Sequence, residues 1–168
     1  AGTITQLKAV KDQFSQLSVG TSAMYFALDD HAVEGFDVNC KVYPPLRSPE
    51  SREMIIKGLL EGTVDTISSG HHPQGSEEKD LEFPAAAYGM TGLETCFSVA
   101  NEVLCKAHKM ELGDLIEKFT TNPARILDLE ADPIGAGRVG DLTWFDPEHE
   151  WEYRKEDSRS KALNSPFF

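Results

Sequence analysis

The residues of this sequence with the clearest chemistry are two adjacent histidines, His71 and His72, in the stretch DTISSGHHPQGSEEK at positions 65–79. Imidazole is a common zinc ligand, so the pair raises the question of a metal site. Neighbouring side chains on an extended segment point to opposite sides, and such a pair seldom converges on one ion without ligands from elsewhere. The spacing therefore favours two loop histidines, with metal ligation by His71 and His72 as the weaker alternative.

The cysteines and the remaining histidines offer no second obvious site. The three cysteines are widely spaced and flanked by apolar residues, so neither a disulfide framework nor a Cys-x-x-Cys metal site is indicated. The other three histidines have no partners at ligand spacing and are expected on the surface. These residues are Cys40, Cys96, Cys105, His31, His108 and His149.

Composition narrows the class of protein. The 168 residues are 40% hydrophobic and 26% charged, and contain no apolar run near the roughly 20 residues of a membrane span, which is typical of a soluble globular domain. The first residues show no secretion signal, so a cytoplasmic location is expected. A net charge of −12, with the acids scattered along the chain, argues against a nucleic-acid partner.

The first half of the chain predicts helices and strands in alternation. Residues 3–16 place apolar side chains on one helical face, and the run SVGTSAMYFAL predicts a buried strand that ends near Leu28, with Met24 and Tyr25 facing the core. Ser48 followed by Pro49 predicts the start of a helix that ends at Gly62. TVDTISSG then predicts a strand, after which the acidic GSEEKD reads as a solvated, mobile loop.

The second half of the chain predicts helices up to residue 129 and short strands separated by glycines beyond it. One long helix is expected over residues 93–109, and ELGDLIEKFT and NPARILDL predict two short ones, the second capped by Asn122. Beyond residue 129, glycines punctuate two predicted short strands whose Trp144 and Trp151 would pack a small β-module. Alternating strands and helices indicate an α/β fold, with about three strand–helix units, fewer than a closed eight-unit barrel needs.

Six stretches, taken together, resemble the C-terminal half of a dihydroorotase. They are DVNCKVYPPLRSPESRE, DTISSGHHPQGSEEKDLEF, YGMTGLET, TTNPARIL, GRVGDLTWFDPEHEW and RSKALNSPF, and they follow the family's order over residues 36–168. Dihydroorotases are metal-dependent (β/α)8 barrels of the amidohydrolase superfamily. The resemblance implies that residues 1–129 form the C-terminal part of a TIM-type amidohydrolase barrel, and that residues 130–168 form part of a small C-terminal β-module.

The same resemblance implies a catalytic site from which this sequence departs. Active relatives use zinc to interconvert N-carbamoyl-L-aspartate and dihydroorotate. The metal lowers the pKa of a bound water, which the reaction requires. Gly70 stands at the family's proton-carrying aspartate, Gln74 at its substrate histidine and Tyr43 at its substrate asparagine. Met24 and Tyr25 stand where relatives often carry a histidine pair. The remaining metal ligands of the family would lie upstream of this chain.

Two features that match the family leave alternatives open. YGMTGLET resembles a loop whose backbone contacts substrate, which makes Tyr88 and Gly89 candidate backbone contacts; a structural turn is the other interpretation of its glycines. His71 matches a histidine of the family, whereas His72 replaces a small residue. GSEEKD matches a region that covers the family's site, which would make it a lid.

Three hypotheses about function follow. The first is a dihydroorotase homologue of pyrimidine biosynthesis that has lost catalysis, needs no cofactor and serves as a scaffold for aspartate transcarbamoylase. The second is an active zinc dihydroorotase whose metal ligands come from a missing N-terminal segment, and the third is a repurposed pocket that binds a small ligand. Half a barrel exposes strand edges, so we expect it to dock on a missing N-terminal half or to self-associate, without nucleic-acid or membrane partners.

Overall fold

A parallel pair of short strands lies at the centre of the molecule, seen in a computed structural model that describes residues 2–14, 16–129 and 134–168. Strand β1 (Gly20–Ser22) pairs with β2 (Thr66–Ser68), so that Gly20 lies opposite Thr66 and Ser22 opposite Ser68. The predicted α/β class and the strand in TVDTISSG are confirmed. Because parallel strands need a long crossover, the whole of residues 23–65 lies between them.

Seven α-helices of the described residues surround this pair. They are α1 (Gly2–Lys11), α2 (Met24–Ala27), α3 (Pro49–Leu60), α4 (Ser76–Lys79), α5 (Cys96–Ala100), α6 (Leu112–Phe119) and α7 (Thr121–Ile126). Helix α5 continues into a π-helical stretch, Asn101–Ala107, and three short 3-10 turns lie at Asp30–Val33, Val38–Cys40 and Lys155–Asp157. None of the described helices is both long and apolar enough to span a membrane.

Helix α3 shows how the local sequence sets the boundaries of an element. Pro49 occupies its first turn, where the missing N–H leaves no intrahelical bond unmade. The helix ends at Leu60, and Gly62 follows with φ of +75°, a conformation that glycine adopts without strain. Ile56 and Leu59 point from α3 into the core.

Two apolar clusters hold the helices to the strands. The larger packs α3, β2, α5, the π-helical stretch and α6 around fully buried residues such as Leu59, Leu104 and Leu115. The smaller lies beyond the C-terminal ends of the strands and contains Met24, Cys40, Val42, Leu46 and Met90. The three cysteines are free thiols in the structure, with Cys40 and Cys96 buried and Cys105 half-buried.

The strand predicted to end near Leu28 is wrong in its second half. Pairing stops where the Ala23 N–H donates to Ser68 O, because β2 also ends at Ser68. Without a partner strand the backbone turns into α2, so Met24 and Tyr25 are helical rather than strand residues. Met24 is nevertheless buried, as predicted.

The C-terminal strands are also absent from the described residues. Residues 134–168 contain only the turn Lys155–Asp157, since an extended segment becomes a strand only when another strand pairs with it. Trp144 is 99% exposed and does not pack a β-module, while Trp151 is half-exposed and contacts the Tyr153 ring edge-on. The predicted domain boundary at residue 130 lies outside the described residues.

Two smaller predictions also need correction. Asn122 does not cap α7, because that helix begins at Thr121, and its side-chain amide instead donates to Asp65 O at 3.0 Å. The predicted loop GSEEKD instead contains helix α4; its acids are exposed, as predicted, but Lys79 at the end of that helix is buried. The acidic residues on either side of Lys79 in the sequence suggest an exposed side chain and do not indicate its burial.

Candidate functional site

A side chain at Gly70, just beyond the C-terminal end of β2, would require the end of the Met24 side chain to move. Its φ is +59°, and a Cβ placed there would lie 2.1 Å from Met24 Cε and 3.0 Å from Ser22 Cβ. Met24 is itself buried and packed among Cys40, Val42 and Met90. The thioether of Met24 therefore fills the space into which a side chain at position 70 would project.

His71 and His72 turn away from each other and serve the surrounding loops. The Nδ1 atom of His71 accepts the backbone N–H groups of Gly92 and Leu93 at 3.2 and 3.3 Å. The His72 ring lies against Gly89, and its Nε2 is 3.3 Å from the side-chain amide of Gln74. Within the described part of the chain, neither histidine joins two other potential metal ligands.

The candidate substrate loop is held by contacts within the protein. Gln74 Nε2 donates to Tyr88 O at 3.1 Å, and the Gly89 N–H donates to Lys41 O at 2.9 Å. Gly89 has φ of +126° and would place a Cβ 2.6 Å from His72 O, so the close approach of two loops requires this glycine. These contacts favour the structural turn, and backbone contact of Tyr88 and Gly89 with a ligand stays a prediction.

Tyr43, the third departure from the dihydroorotase pattern, projects outward. Its side chain is 78% exposed, and its ring meets that of Tyr88 edge-on with centroids 5.8 Å apart. A phenol in this position neither reaches toward Gly70 nor replaces the two hydrogen-bonding groups of an asparagine amide. The structure thus brings Gln74, Tyr88 and Tyr43 together at one rim.

Two buried lysines, which the sequence did not indicate, form hydrogen bonds with the loops of this rim. Lys41 Nζ donates to the carbonyls of Phe83, Pro84 and Ala86, and Lys79 Nζ donates to those of Val38, Ala87 and Gly89. Burial lowers the pKa of Lys79 below its ordinary value. Because each ammonium donates to three carbonyls, Lys41 and Lys79 both stabilise the loop over residues 83–89.

Asn164 ties the C-terminal tail to the same loops. Its side-chain amide donates to His72 O and Gly89 O, and its Oδ1 accepts the N–H of Gln74. Its own carbonyl accepts the N–H of Thr91. Asn164 is buried and belongs to RSKALNSPF, one of the stretches that resemble dihydroorotases, and that motif was the available signal for its role.

Glu94 forms a second connection between the tail and the start of α5. Its carboxylate accepts the backbone N–H of Arg159 at 2.8 Å and that of Ser160 at 3.2 Å, together with the Ser158 hydroxyl. These hydrogen bonds lower the pKa of Glu94 below its ordinary value, and the bond from the Arg159 backbone N–H has the largest effect. Charge on Glu94 therefore stabilises the docked tail.

The docked tail is expected to loosen in acid because of Glu94. A carboxyl whose pKa is lower when folded stabilises the fold above its unfolded pKa, near 4.5, and loses that contribution as pH falls through the folded pKa. Glu94→Gln should remove this pH dependence, measured as melting temperature between about pH 3 and pH 7. Glu102→Gln, at a side chain 69% exposed, is the control and should leave the profile unchanged. An unchanged profile for Glu94→Gln would contradict the assignment.

One group of potential metal ligands does occur, away from Gly70. Ligand atoms of Asp29, Asp30 and His31 lie within 4.8 Å of one another. Asp29 is already engaged, because it accepts Arg52 Nη1 at 2.8 Å and His31 Nδ1 at 3.1 Å. Its hydrogen bond raises the pKa of the exposed His31. The group is a surface ion-pair network, and His31 has partners that its spacing in the sequence did not reveal.

The chemistry available at the end of β2 is therefore limited. The stretch from Thr66 to Gln74 contains no carboxylate, and the imidazole of His71 uses its Nδ1 to accept backbone N–H groups. A zinc site that activates water needs several anionic or imidazole ligands with free lone pairs. The residues present do not fit a zinc ion at this position.

Comparison with solved structures defines the class of fold. Two neighbours are L-hydantoinase from Arthrobacter aurescens, with a TM-score of 0.69 at 22% identity, and dihydropyrimidinase from Brevibacillus agri, with a TM-score of 0.67 at 20% identity. Each match covers 74% of this chain and 28% of the other. The matched part of this chain therefore has the fold of the corresponding part of these two enzymes.

Sequence comparison makes the relationship specific. No family model matches the chain. Dihydroorotases from Ruminiclostridium cellulolyticum and Geobacter sp. strain M21 are 39% identical over 161 residues and 37% identical over 166 residues. These matches cover 96% and 99% of this chain but only 38% and 39% of the relatives. The chain is a homologue of the dihydroorotases and spans about two-fifths of their length.

Proposed function

We propose that this chain is part of a dihydroorotase-like protein of pyrimidine biosynthesis that is not catalytic and acts as a scaffold for aspartate transcarbamoylase. The homology to dihydroorotases supports the pathway. In this proposal residues 1–129 are the C-terminal part of a (β/α)8 barrel, and residues 130–168 are the tail that follows it. The location is cytoplasmic, where pyrimidine synthesis begins.

The observation that carries the loss of catalysis is the contact between Met24 and Gly70. A missing aspartate alone would leave a hole that water or a neighbouring carboxylate can enter. Here the methyl of Met24 occupies that space, 2.1 Å from the position of a Cβ on Gly70. Because Met24 is buried, its apolar methyl occupies the place beside Gly70 that a proton-carrying side chain would need.

The scaffold role rests on the hydrogen bonds that hold the loops around the filled site. The loops that frame the site are fastened by Lys41, Lys79 and Asn164, whose polar atoms bond protein carbonyls rather than a substrate. A protein that has kept this surface without its chemistry is suited to binding a partner. The short strands β1 and β2 also leave edges for docking with an N-terminal half or with a second copy.

An active zinc dihydroorotase is the competing function, favoured by 39% identity to proteins of that name. It requires zinc ligands from an upstream segment and a substitute for the missing aspartate. The two functions separate in one experiment on the full-length gene product. We expect less than stoichiometric zinc, dihydroorotate turnover at least about 100-fold below that of an active homologue, and co-elution with aspartate transcarbamoylase in gel filtration.

Either half of this proposal can fail separately. Stoichiometric zinc together with turnover at the rate of an active homologue would establish the enzyme and remove the non-catalytic assignment. Separate elution of the two proteins at micromolar concentration would remove the scaffold role. An active dihydroorotase measured in the same buffer, with its zinc content determined in parallel, is the control for both readouts.

A further inference from the structure

Four aromatic rings form a continuous row on the rim of the filled site. Phe36 meets Phe83 edge-on with centroids 5.8 Å apart, and Tyr43 meets Tyr88 in the same way at 5.8 Å. The ammonium of Lys41 joins the two pairs, because its Nζ lies 5.4 Å from the Phe83 centroid and 4.6 Å from that of Tyr88. We define these four rings as the aromatic row.

The aromatic row is largely exposed, and two of its rings lie against an ammonium that hydrogen bonds hold in place. Lys41 Nζ is fixed by three backbone carbonyls, which hold the rings of Phe83 and Tyr88 in place around it. Phe36 is 71% exposed and Tyr43 is 78% exposed. Rigid aromatic surfaces lose little conformational entropy on binding and are enriched at the centres of protein interfaces.

Phe36 is held in a backbone conformation that opposes its side chain. Its φ is +57°, in the left-handed region that a bulky residue seldom adopts. Its ring makes one edge contact, with Phe83, and is otherwise turned to solvent. A strained and exposed phenylalanine contributes little to folding, which points to a role for the ring outside the fold.

Acidic side chains flank the aromatic row. Glu34 and Asp37 lie on either side of Phe36 in the chain, and Asp80 and Glu82 precede Phe83; all four are exposed. The two lysines of this region, Lys41 and Lys79, are buried and bond carbonyls. The rim is therefore anionic, which disfavours nucleic acid and anionic lipid and favours a basic protein surface.

We propose that the aromatic row and its four flanking acids are the docking surface for a partner protein whose contacting face combines apolar pockets with lysine or arginine. This inference rests on the proposed scaffold function, in which the partner is aspartate transcarbamoylase. The rings supply the buried centre of the interface. The acids supply a rim that steers a basic face and makes association sensitive to salt.

Binding of the full-length gene product to aspartate transcarbamoylase, measured by titration calorimetry, tests the surface. Phe36→Asn relieves the strained backbone, because asparagine tolerates the left-handed region, while it removes the ring. Together with Tyr43→Gln it should weaken binding at least about tenfold without lowering the melting temperature. Trp144→Gln, at a fully exposed indole outside the row, is the matched control and should bind as the wild type does.

Charge is tested separately from the rings. Asp80→Lys with Glu82→Lys should weaken binding at low salt and reduce the salt dependence of the affinity; tighter or unchanged binding would overturn a basic partner face. Equal binding by the ring variant and the wild type would overturn the surface and leave the scaffold function standing. Failure of the wild type to bind would overturn both. A lower melting temperature of the ring variant would show that the row packs against its own chain, which also overturns docking.

Discussion

Replacing Gly70 by aspartate in the full-length gene product is expected to destabilise the protein by about 3 kcal/mol and to leave dihydroorotate turnover at background. Two effects add. Left-handed backbone at φ of +59° costs a residue with a Cβ about 1–2 kcal/mol, and aspartate, which tolerates this region better than most residues, is expected near the lower value. The new Cβ must also displace the buried methyl of Met24 from a packed site, which costs about 1–3 kcal/mol.

A matched position in the same chain separates these two effects. Gly62 has φ of +75° with no atom within 4 Å of its Cβ position, so Gly62→Asp carries the backbone penalty alone, about 1 kcal/mol. Adding Met24→Ala to Gly70→Asp should recover part of the lost stability, because the smaller side chain vacates the space. Chemical denaturation gives the three free energies of unfolding.

The Gly70 result has a clear contrary outcome. If Gly70→Asp is as stable as the wild type, Met24 does not fill the site in solution. If the same variant also binds zinc and turns over dihydroorotate, the rest of the catalytic apparatus is present and the protein is an enzyme with one lesion. Zinc content is measured on each variant alongside turnover, so that a missing ligand and a missing proton carrier are distinguished.

The second large effect is expected at Lys41, where Lys41→Met should lower the free energy of unfolding by about 3–5 kcal/mol. The ammonium bonds the carbonyls of Phe83, Pro84 and Ala86, and the lysine is only 7% exposed. Methionine keeps most of the volume but donates nothing, so three carbonyls lose their shared donor at once. Each unpaired buried group costs about 1–3 kcal/mol, reduced where water reaches it.

Lys57→Met is the control for this effect, since the Lys57 side chain is 62% exposed and pairs with Glu61, the residue just after α3. It should change the free energy of unfolding by less than about 0.5 kcal/mol. Hydrogen exchange should locate the damage of Lys41→Met in residues 83–89, whereas α3 keeps its protection. A loss below about 1 kcal/mol for Lys41→Met would show that its three hydrogen bonds are replaced by water in solution.

Local signals were sufficient for elements whose ends are chemically marked. Pro49 and Gly62 bracket α3, and TVDTISSG carries the β-branched residues of a strand, so both were predicted at nearly the right place. The C-terminal strands and the strand character of Met24 were predicted wrongly. In both places the sequence favours an extended chain, and the absent ingredient is a neighbouring strand, which no local pattern reports.

Some features of the candidate site could likewise be predicted from the sequence, and others could not. The chain's likeness to dihydroorotases can be read from the order and identity of the residues. The proposed losses at Gly70, Gln74 and Tyr43 come from the same reading, because a substituted functional group is lost in any conformation. The burial of Lys41 and Lys79 could not be predicted from the sequence, because lysine is almost always exposed. Its burial becomes favourable only where three carbonyls converge on the ammonium.

The sequence by itself determined the α/β class and the homology, and it is the source of the proposal that side chains are missing from the expected site. Only the tertiary structure decided what fills that site and what fastens its rim. Met24 and Gly70 are 46 positions apart, and nothing in either neighbourhood indicates that a thioether will occupy the space of a carboxylate. Such contacts depend on how distant segments pack, and close packing is set by the shape of the whole chain rather than by any one stretch of it.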